Sequence, residues 1–281
     1  MSLRRTILAV LAMPAFFVWY LVFSTTPGAL TVSFLDVGQG DAIFIQTPAG
    51  QQLLIDGGPG RRVLSELSRV MPALDRSIDI VVATHTDLDH LGGLVEVLKR
   101  YDIGQVLESG LRVDSGHFVL WDKELQTLNT IRHVAHAGER ILLDSGAYID
   151  VLGPAPQDYE NLSDKANETM IVLRLVYGET EFLLTGDIER GDELRLVSGS
   201  MDIKSDVLKV AHHGSRFSTT DLFLEEVAPQ FAVISVGGNN RYGHPHAETL
   251  GRIQKTSAHL LRTDLEGPIT FTSDGKSVTR R

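Results

Sequence analysis

The stretch THTDLDHLGG, residues 84–93, restricts the fold of this chain more than any other part of the sequence. It follows the apolar run 78–83, which predicts a buried strand. Residues at the end of a strand are held firmly enough to form a binding site. A single acidic residue or histidine here would fit a solvated turn with an N-cap aspartate. The segment instead carries four groups that can bind a metal ion, namely His85, Asp87, Asp89 and His90.

The spacing of these four groups indicates two neighbouring positions for cations. His85 and Asp87 are two residues apart, so their side chains can point the same way. Asp89 and His90 can point to a second position nearby. The pair Gly92-Gly93 predicts a sharp turn from which a helix starts near residue 93.

Three later apolar runs also end in groups that bind metal ions or protons. The run 182–186 ends at Asp187, and the run 207–211 ends at His212 and His213. The run 232–236 leads on to His244. Each of these features alone fits an ordinary turn, but together with residues 84–93 they predict one site where several strand ends converge.

Strands and helices alternate along the rest of the chain, which favours sheets covered by helices. No repeat and no linker divides residues 30–281, so we expect one domain there after an N-terminal segment, residues 1–29. Apolar runs predict strands at 31–37, 42–46, 52–55, 78–83, 148–152, 170–177, 181–185, 206–211, 231–236 and 268–272. Periodic segments predict helices at 93–100, 118–130, 190–197, 220–227 and 246–256.

The N-terminal segment has the composition of a membrane anchor or a signal peptide. Arg4 and Arg5 precede residues 7–23, which are apolar and carry no charge. No small-residue cleavage site follows them clearly, so we expect an uncleaved anchor; a cleaved signal would give a secreted protein. With the arginines inside, the remaining chain lies outside the cytoplasm, in the periplasm or the extracellular space.

The order of motifs resembles one known family. FLDVGQGDAIFI, LLIDGG, THTDLDHLGG, NETMIVLRL, LLTGD, LKVAHHGS, YGHPH and LRTDLEGPI follow one another as in the extracytoplasmic metallohydrolase domain of the ComEC family of DNA-uptake proteins, within the metallo-β-lactamase superfamily. The resemblance implies an α/β fold, the αββα four-layer sandwich, over residues 31–281. It also accounts for Asp87, because this branch carries Asp where the superfamily commonly has His.

The resemblance further implies which residues bind metal ions. His85, Asp87 and Asp187 would bind one ion, and Asp89, His90, Asp187 and either His212 or His213 would bind the other, with His213 preferred. Asn167 lies near the place where the superfamily commonly has another histidine ligand. The candidates for catalytic groups are Asp89, Asn167, His212 and His244.

The composition limits the cofactor and the substrate. The chain has no cysteine, so a metal ion must bind to imidazole and carboxylate, which makes Mn²⁺ as well as Zn²⁺ plausible. Two divalent ions can activate water for attack on a phosphodiester. The net charge of −10 argues against coating of nucleic acid by bulk charge. Lys209, Arg216 and Arg241 lie beside the motifs and are candidates for phosphate contacts.

Three functions fit the sequence. The preferred one is a two-metal phosphodiesterase that cleaves DNA during uptake, anchored in the membrane through residues 7–23 and working with a separate channel protein. The second is a cell-wall phosphocholine-type esterase, which would need an aromatic cage for choline. The third is a non-catalytic scaffold with a degenerate site, which need not bind stoichiometric metal.

Overall fold

The computed structural model describes residues 28–128, 130–155 and 169–281. Residues 7–23, where the sequence predicts an anchor, lie outside these ranges, as does Asn167. Among the described residues, no helix has both the length and the apolar character that a membrane span requires.

The first sheet of the described chain has eight strands. In chain order they are β1 (Leu30–Phe34), β2 (Ile43–Gln46), β3 (Gln52–Ile55), β4 (Ser77–Ala83), β5 (Asp102–Glu108), β6 (Ile131–Val134), β14 (Ile269–Ser273) and β15 (Val278–Arg280). They lie in the order β15-β14-β1-β2-β3-β4-β5-β6. Strands β3 to β6 are parallel to one another, and the other pairs are antiparallel.

The second sheet has seven strands within the same described ranges. They are β7 (Arg140–Leu142), β8 (Tyr148–Gly153), β9 (Val172–Tyr177), β10 (Thr180–Leu184), β11 (Val207–Lys209), β12 (Phe231–Ile234) and β13 (His259–Arg262). They lie in the order β13-β12-β11-β10-β9-β8-β7. Strands β10 to β13 are parallel, so both sheets contain a parallel block whose strands end at one edge.

Helices connect the strands and cover the outer faces of the sheets. They are α1 (Arg62–Val70), α2 (Leu88–Leu98), α3 (Gly116–Thr127), α4 (Arg190–Ser198), α5 (Asp221–Val227), α6 (Ala247–Gln254) and α7 (Thr263–Glu266). Two short 3₁₀ turns lie at Asp144–Gly146 and Ala211–Gly214.

Three hydrophobic cores define four layers. Phe34 and Phe182 belong to the core between the two sheets. Trp121 of α3 packs against the outer face of the first sheet, and Phe223 of α5 packs against the outer face of the second. Because helices cover both parallel blocks, strands such as β4 are buried on both faces and consist mainly of apolar residues. This helix–sheet–sheet–helix order is the α/β arrangement that the sequence predicts.

The prediction for the helix after β4 was wrong at its start. Helix α2 begins at Leu88, with Asp87 as its N-cap, so Asp89 and His90 lie in its first turn. Gly92 and Gly93 are therefore inside the helix and do not form a turn. A Cβ atom on Gly93 would lie 1.8 Å from the carbonyl oxygen of Gly57, so glycine is required here for close approach of two backbones.

Candidate metal centre

The carboxyl ends of four strands meet at one edge of the sandwich. Strand β3 is followed by Asp56, β4 by residues 84–90, β10 by Asp187 and β11 by His213. Strands β3 and β4 are parallel neighbours in the first sheet, as are β10 and β11 in the second. Side chains from the two sheets therefore face one another, and His90 Nε2 lies 3.2 Å from Asp187 Oδ2.

Asp56 orients two of the imidazole rings. It is fully buried, and its Oδ2 accepts hydrogen bonds from His90 Nδ1 at 2.8 Å and from the Thr84 hydroxyl at 2.7 Å. Because the Thr84 hydroxyl donates to Asp56, its oxygen accepts from His85 Nδ1 at 3.0 Å. Nδ1 of both rings is thus engaged as a hydrogen-bond donor, so Nε2 is the nitrogen that faces a metal ion and binds it in place of a proton.

His213 is oriented from the second sheet in the same way. Its Nδ1 donates to the carbonyl oxygen of Ser235 at 2.8 Å. The backbone of His213 is left-handed, with φ 53°, and so is that of His212, with φ 49°. Such a conformation costs about 1–3 kcal/mol for each non-glycine residue. A hydrogen bond from His212 N to Gly186 O at 3.1 Å stabilises this turn against the end of β10.

Four of the predicted ligands form one compact cluster, Asp89, His90, Asp187 and His213. One donor atom from each lies within 4.8 Å of the others. His213 Nε2 is 3.2 Å from Asp187 Oδ2 and 3.6 Å from Asp89 Oδ2. The Nε2 atoms of His90 and His213 are buried and have no hydrogen-bond partner among the described residues. Buried polar atoms are rarely left unpaired, so this donor set fits a divalent cation.

The other predicted ligands, His85 and Asp87, lie beside this cluster. The ring of His85 is 4.0 Å from that of His90 between centroids, and its buried Nε2 also has no hydrogen-bond partner in the described chain. His85 Nε2 lies 3.8 Å from Asp87 Oδ2, but the Asp87 side chain is 52% exposed. Asp56 is also close to His85 and His90, yet hydrogen bonds occupy its oxygens, so we interpret it as an orienting group.

The site has a strong negative potential. Burial lowers the pKa of His213, but the carboxylates of Asp187 and Asp41 outweigh burial and raise it to about 9. Burial would likewise lower the pKa of His90, which Asp187 and Asp56 hold well above its ordinary value. The carboxylates thus favour positive charge on these imidazole rings, and the same negative potential would favour a metal ion bound to them.

Lys209 does not contact solvent, and the prediction that it could bind phosphate was wrong. Its side chain is fully buried, and its Nζ lies 2.5 Å from Asp41 Oδ2 and 3.5 Å from Asp187 Oδ1. It also donates to the carbonyl oxygen of Gly186 at 2.8 Å. Lys209 therefore balances buried carboxylates beneath the cluster. A charged residue inside the run Val207–Val210 was the available signal for this role.

His212 and His244 border the cluster on its solvent side. His212 Nε2 lies 3.9 Å from Asp187 Oδ2, and its side chain is 27% exposed. The ring of His244 is 5.5 Å from that of His212 and 6.3 Å from that of His213 between centroids. Burial and the nearby rings of His213 and His212 lower the pKa of His244 to about 4. Asn167 lies outside the described residues, and its predicted role stays a prediction.

A two-sheet sandwich with this cluster at its strand ends defines a metal-binding α/β protein. Residues 35–238 match the model of the metallo-beta-lactamase superfamily. The chain therefore belongs to the metallo-beta-lactamase superfamily, whose fold implies divalent metal ions.

Two curated relatives also match most of the chain. "ComE operon protein 3" of Bacillus subtilis is 32% identical over 263 residues, which is 85% of this chain and 32% of that protein. "Competence protein ComA" of Neisseria gonorrhoeae is 31% identical over 260 residues, 91% of this chain and 34% of that protein. These matches confirm the predicted resemblance to the ComEC family. The chain spans about a third of the length of these relatives.

Solved structures share the fold. The metallo-beta-lactamase fold protein YhfI of Bacillus subtilis superposes with a TM-score of 0.58, at 12% sequence identity, over 87% of this chain and 100% of that one. At this identity the likeness shows the fold alone.

Proposed function

We propose that this chain is a divalent-metal-dependent phosphodiesterase that hydrolyses DNA, linked to DNA uptake. The observation that carries the proposal is the cluster of Asp89, His90, Asp187 and His213. Its donor atoms lie within 4.8 Å of one another, and its histidine Nε2 atoms have no hydrogen-bond partner in the described part of the chain. The names of the two competence relatives support DNA as the substrate class.

The donor set supports two divalent ions. We assign one position to Asp89, His90, Asp187 and His213, and a second to His85 and Asp87 with Asp187 shared. Three carboxylates and three imidazoles make this donor set richer in oxygen than an all-histidine site, which favours Mn²⁺ alongside Zn²⁺. Such ions would activate water and stabilise the charge that develops on the phosphate.

The protein's own residues would orient the ligands and the substrate. Asp56 fixes the tautomers of His85 and His90. The half-exposed rings of His212 and His244 lie between the cluster and solvent, where they can contact a phosphate oxygen or the leaving oxygen. Hydrogen bonds from neutral or charged imidazole to phosphate would then position the scissile diester.

The proposal includes a cellular location. If residues 7–23 anchor the chain with Arg4 and Arg5 inside, the metal centre faces the extracytoplasmic side, where incoming DNA arrives. A separate channel protein is the partner that we propose there.

Hydrolysis of labelled single- and double-stranded DNA by the Mn²⁺- or Zn²⁺-loaded chain tests the proposal. Asp89→Ala should lower the rate by at least about 100-fold, because even outer partners of metal ligands are worth about 10–100-fold. Asp102→Ala is a matched control, since Asp102 is exposed and begins β5 at the opposite end of the sheet. Cleavage that is equal in parent and Asp89→Ala, or no cleavage despite bound metal, would refute the nuclease.

A further inference from the structure

Two exposed aromatic side chains lie in the loops that carry His213 and His244. Among residues 28–128, 130–155 and 169–281, Phe217 and Tyr242 are the large aromatic residues that are exposed, at 64% and 48%. An exposed aromatic ring beside a binding site can stack on a flat ligand, so the placement of these two rings is informative. The function proposed above does not use either ring.

Tyr242 forms a supported platform at the edge of a groove that contains Asp89. The groove has a volume of about 340 Å³ and is lined by Gln39, Leu88, Asp89, Asn240, Arg241 and Tyr242. The Tyr242 ring stacks on His244 at 5.7 Å between centroids, with 24° between the planes. The Arg241 guanidinium lies 5.0 Å from the ring centroid and donates to the Tyr242 hydroxyl at 2.9 Å. One face of the ring is thus supported by His244, which sits 6.3 Å from His213.

A continuous strip leads from this platform to the second aromatic residue. The His244 ring packs against that of His246 at 4.8 Å, and His246 Nδ1 accepts a hydrogen bond from the backbone nitrogen of Arg216 at 3.2 Å. Phe217 follows Arg216 directly, and both are exposed. The strip therefore has an arginine beside an exposed ring at each end, and His244 within it lies 6.3 Å from His213 of the cluster between ring centroids.

We infer that this strip binds single-stranded DNA, with a base stacked on Tyr242 and the phosphates toward Arg241, Arg216 and the metal centre. The inference rests on the proposed function and adds the strand specificity. Exposed rings interleaved with arginines are how proteins bind unpaired bases, because every base has a face that can stack. In a duplex the bases are already stacked and paired, so they cannot reach a ring on the protein surface. Local arginines suffice even though the net charge is −10.

Binding of labelled oligonucleotides to the full chain tests this. We would measure Kd by fluorescence anisotropy in EDTA, which stops hydrolysis, and KM with the metal-loaded chain. The probes are an oligothymidine, the same backbone with abasic sites, and a duplex. The variants are Tyr242→Ala and Tyr242→Phe, which keeps the ring.

Tyr148→Ala is the matched control. The Arg140 guanidinium lies over the Tyr148 ring at 3.9 Å, so this pair repeats the Arg–Tyr contact of the strip. Tyr148 lies at the end of the second sheet that is remote from Asp187. It is opposite Val176 of β9, which is opposite Glu181 near the start of β10, whereas Asp187 follows the end of β10.

Tyr242→Ala should raise Kd and KM for the oligothymidine by roughly 5- to 150-fold, the worth of one stacked base. For Tyr242→Phe and Tyr148→Ala, Kd and KM should stay within about twofold of the parent values, since both variants keep an aromatic ring at position 242. The abasic probe should bind the parent weakly, with no further loss in Tyr242→Ala. An equal loss on the abasic probe or on the duplex, an unchanged Kd in Tyr242→Ala, or no base-dependent binding by the parent would overturn the inference.

The two proposals fail in different ways. A parent chain that binds bases through Tyr242 but cleaves no DNA would refute the nuclease and leave the binding strip. A parent chain that cleaves DNA with the same KM in Tyr242→Ala would refute the strip and leave the nuclease.

Discussion

Lys209→Met should destabilise the chain strongly, because it leaves two buried carboxylates without their cation. Nζ lies 2.5 Å from Asp41 Oδ2 and 3.5 Å from Asp187 Oδ1, and none of the three side chains is more than 6% exposed. At an effective dielectric constant of about 20, each attraction is roughly 5–7 kcal/mol before desolvation of the ammonium is subtracted. Breaking a buried pair typically costs about 3–5 kcal/mol net, which is the loss in free energy of unfolding that we expect.

Such a loss is a large part of the total stability of a domain, about 5–15 kcal/mol. The burial of Lys209 lowers its pKa, but Asp41 and Asp187 outweigh this and raise it, so the group is charged throughout the neutral range. The midpoint of thermal unfolding should fall by roughly 6–20 °C. Urea unfolding followed by circular dichroism gives the free energy, with and without EDTA. Because metal ions would also balance Asp187, the loss should be larger in EDTA.

Lys255→Met is the matched control. Lys255 pairs with Asp221 at 3.3 Å, but its side chain is 70% exposed, and such surface pairs contribute about 0–1 kcal/mol. The double variant Asp41→Asn/Lys209→Met should lose less free energy of unfolding than the two single variants lose together, by at least about 1 kcal/mol, because the two side chains interact. A Lys209→Met chain within about 1 kcal/mol of Lys255→Met would refute the reasoning.

Three further changes test the site and the packing around it. Asp56→Asn should weaken metal binding by about 10–100-fold in a competition titration with a chelator, because the rings of two ligands lose their orienting partner; unchanged affinity would contradict that role. Gly93→Ala should lower the free energy of unfolding by several kcal/mol, because its Cβ atom would collide with the backbone of Gly57. In the control Gly251→Ala, the Cβ atom meets nothing within 4 Å, so this change should raise the free energy of unfolding by about 0.5–1 kcal/mol. Equal effects of the two changes in urea unfolding would argue against close approach at Gly93. Calorimetric titration of the metal-free chain should give two steps, with Asp87→Ala removing the weaker one; loss of the tighter step instead would reverse the assignment.

The sequence predicts the edge of the sandwich at which the site lies, because apolar runs locate the strands and polar residues follow each of them. Runs such as 78–83 and 207–211 are buried on both faces, so their apolar character is strong. Strand β5 and helix α1 escaped prediction. Residues 102–108 alternate between polar and apolar only at first, whereas the helical spacing of Val63, Leu67 and Val70 was an available signal for α1. These elements form because they pack on neighbours that are distant in the sequence.

The partners of the ligands could not be predicted from the sequence. Nothing in the sequence marks Thr84 or Ser235 as a partner of a histidine. Only the folded backbone brings the Thr84 hydroxyl to His85 Nδ1 and the Ser235 carbonyl to His213 Nδ1. The start of α2 at Leu88 was also not predicted, because the two glycines suggested a turn, although Asp87 was an available N-cap signal.

The two ion positions that we propose differ in how well their donors are held, and this explains why Asp at position 87 matters. His90 and His213 are buried, and hydrogen bonds at Nδ1 fix their rings before any ion binds. Asp87 is half exposed, and its carboxylate lies 3.8 Å from His85 Nε2, so an ion there must order the carboxylate and displace water. Ordering a side chain costs free energy that a preformed site does not spend. We therefore expect an ion that stays bound at Asp89, His90, Asp187 and His213, and an exchangeable ion beside it whose occupancy follows the metal concentration of the medium.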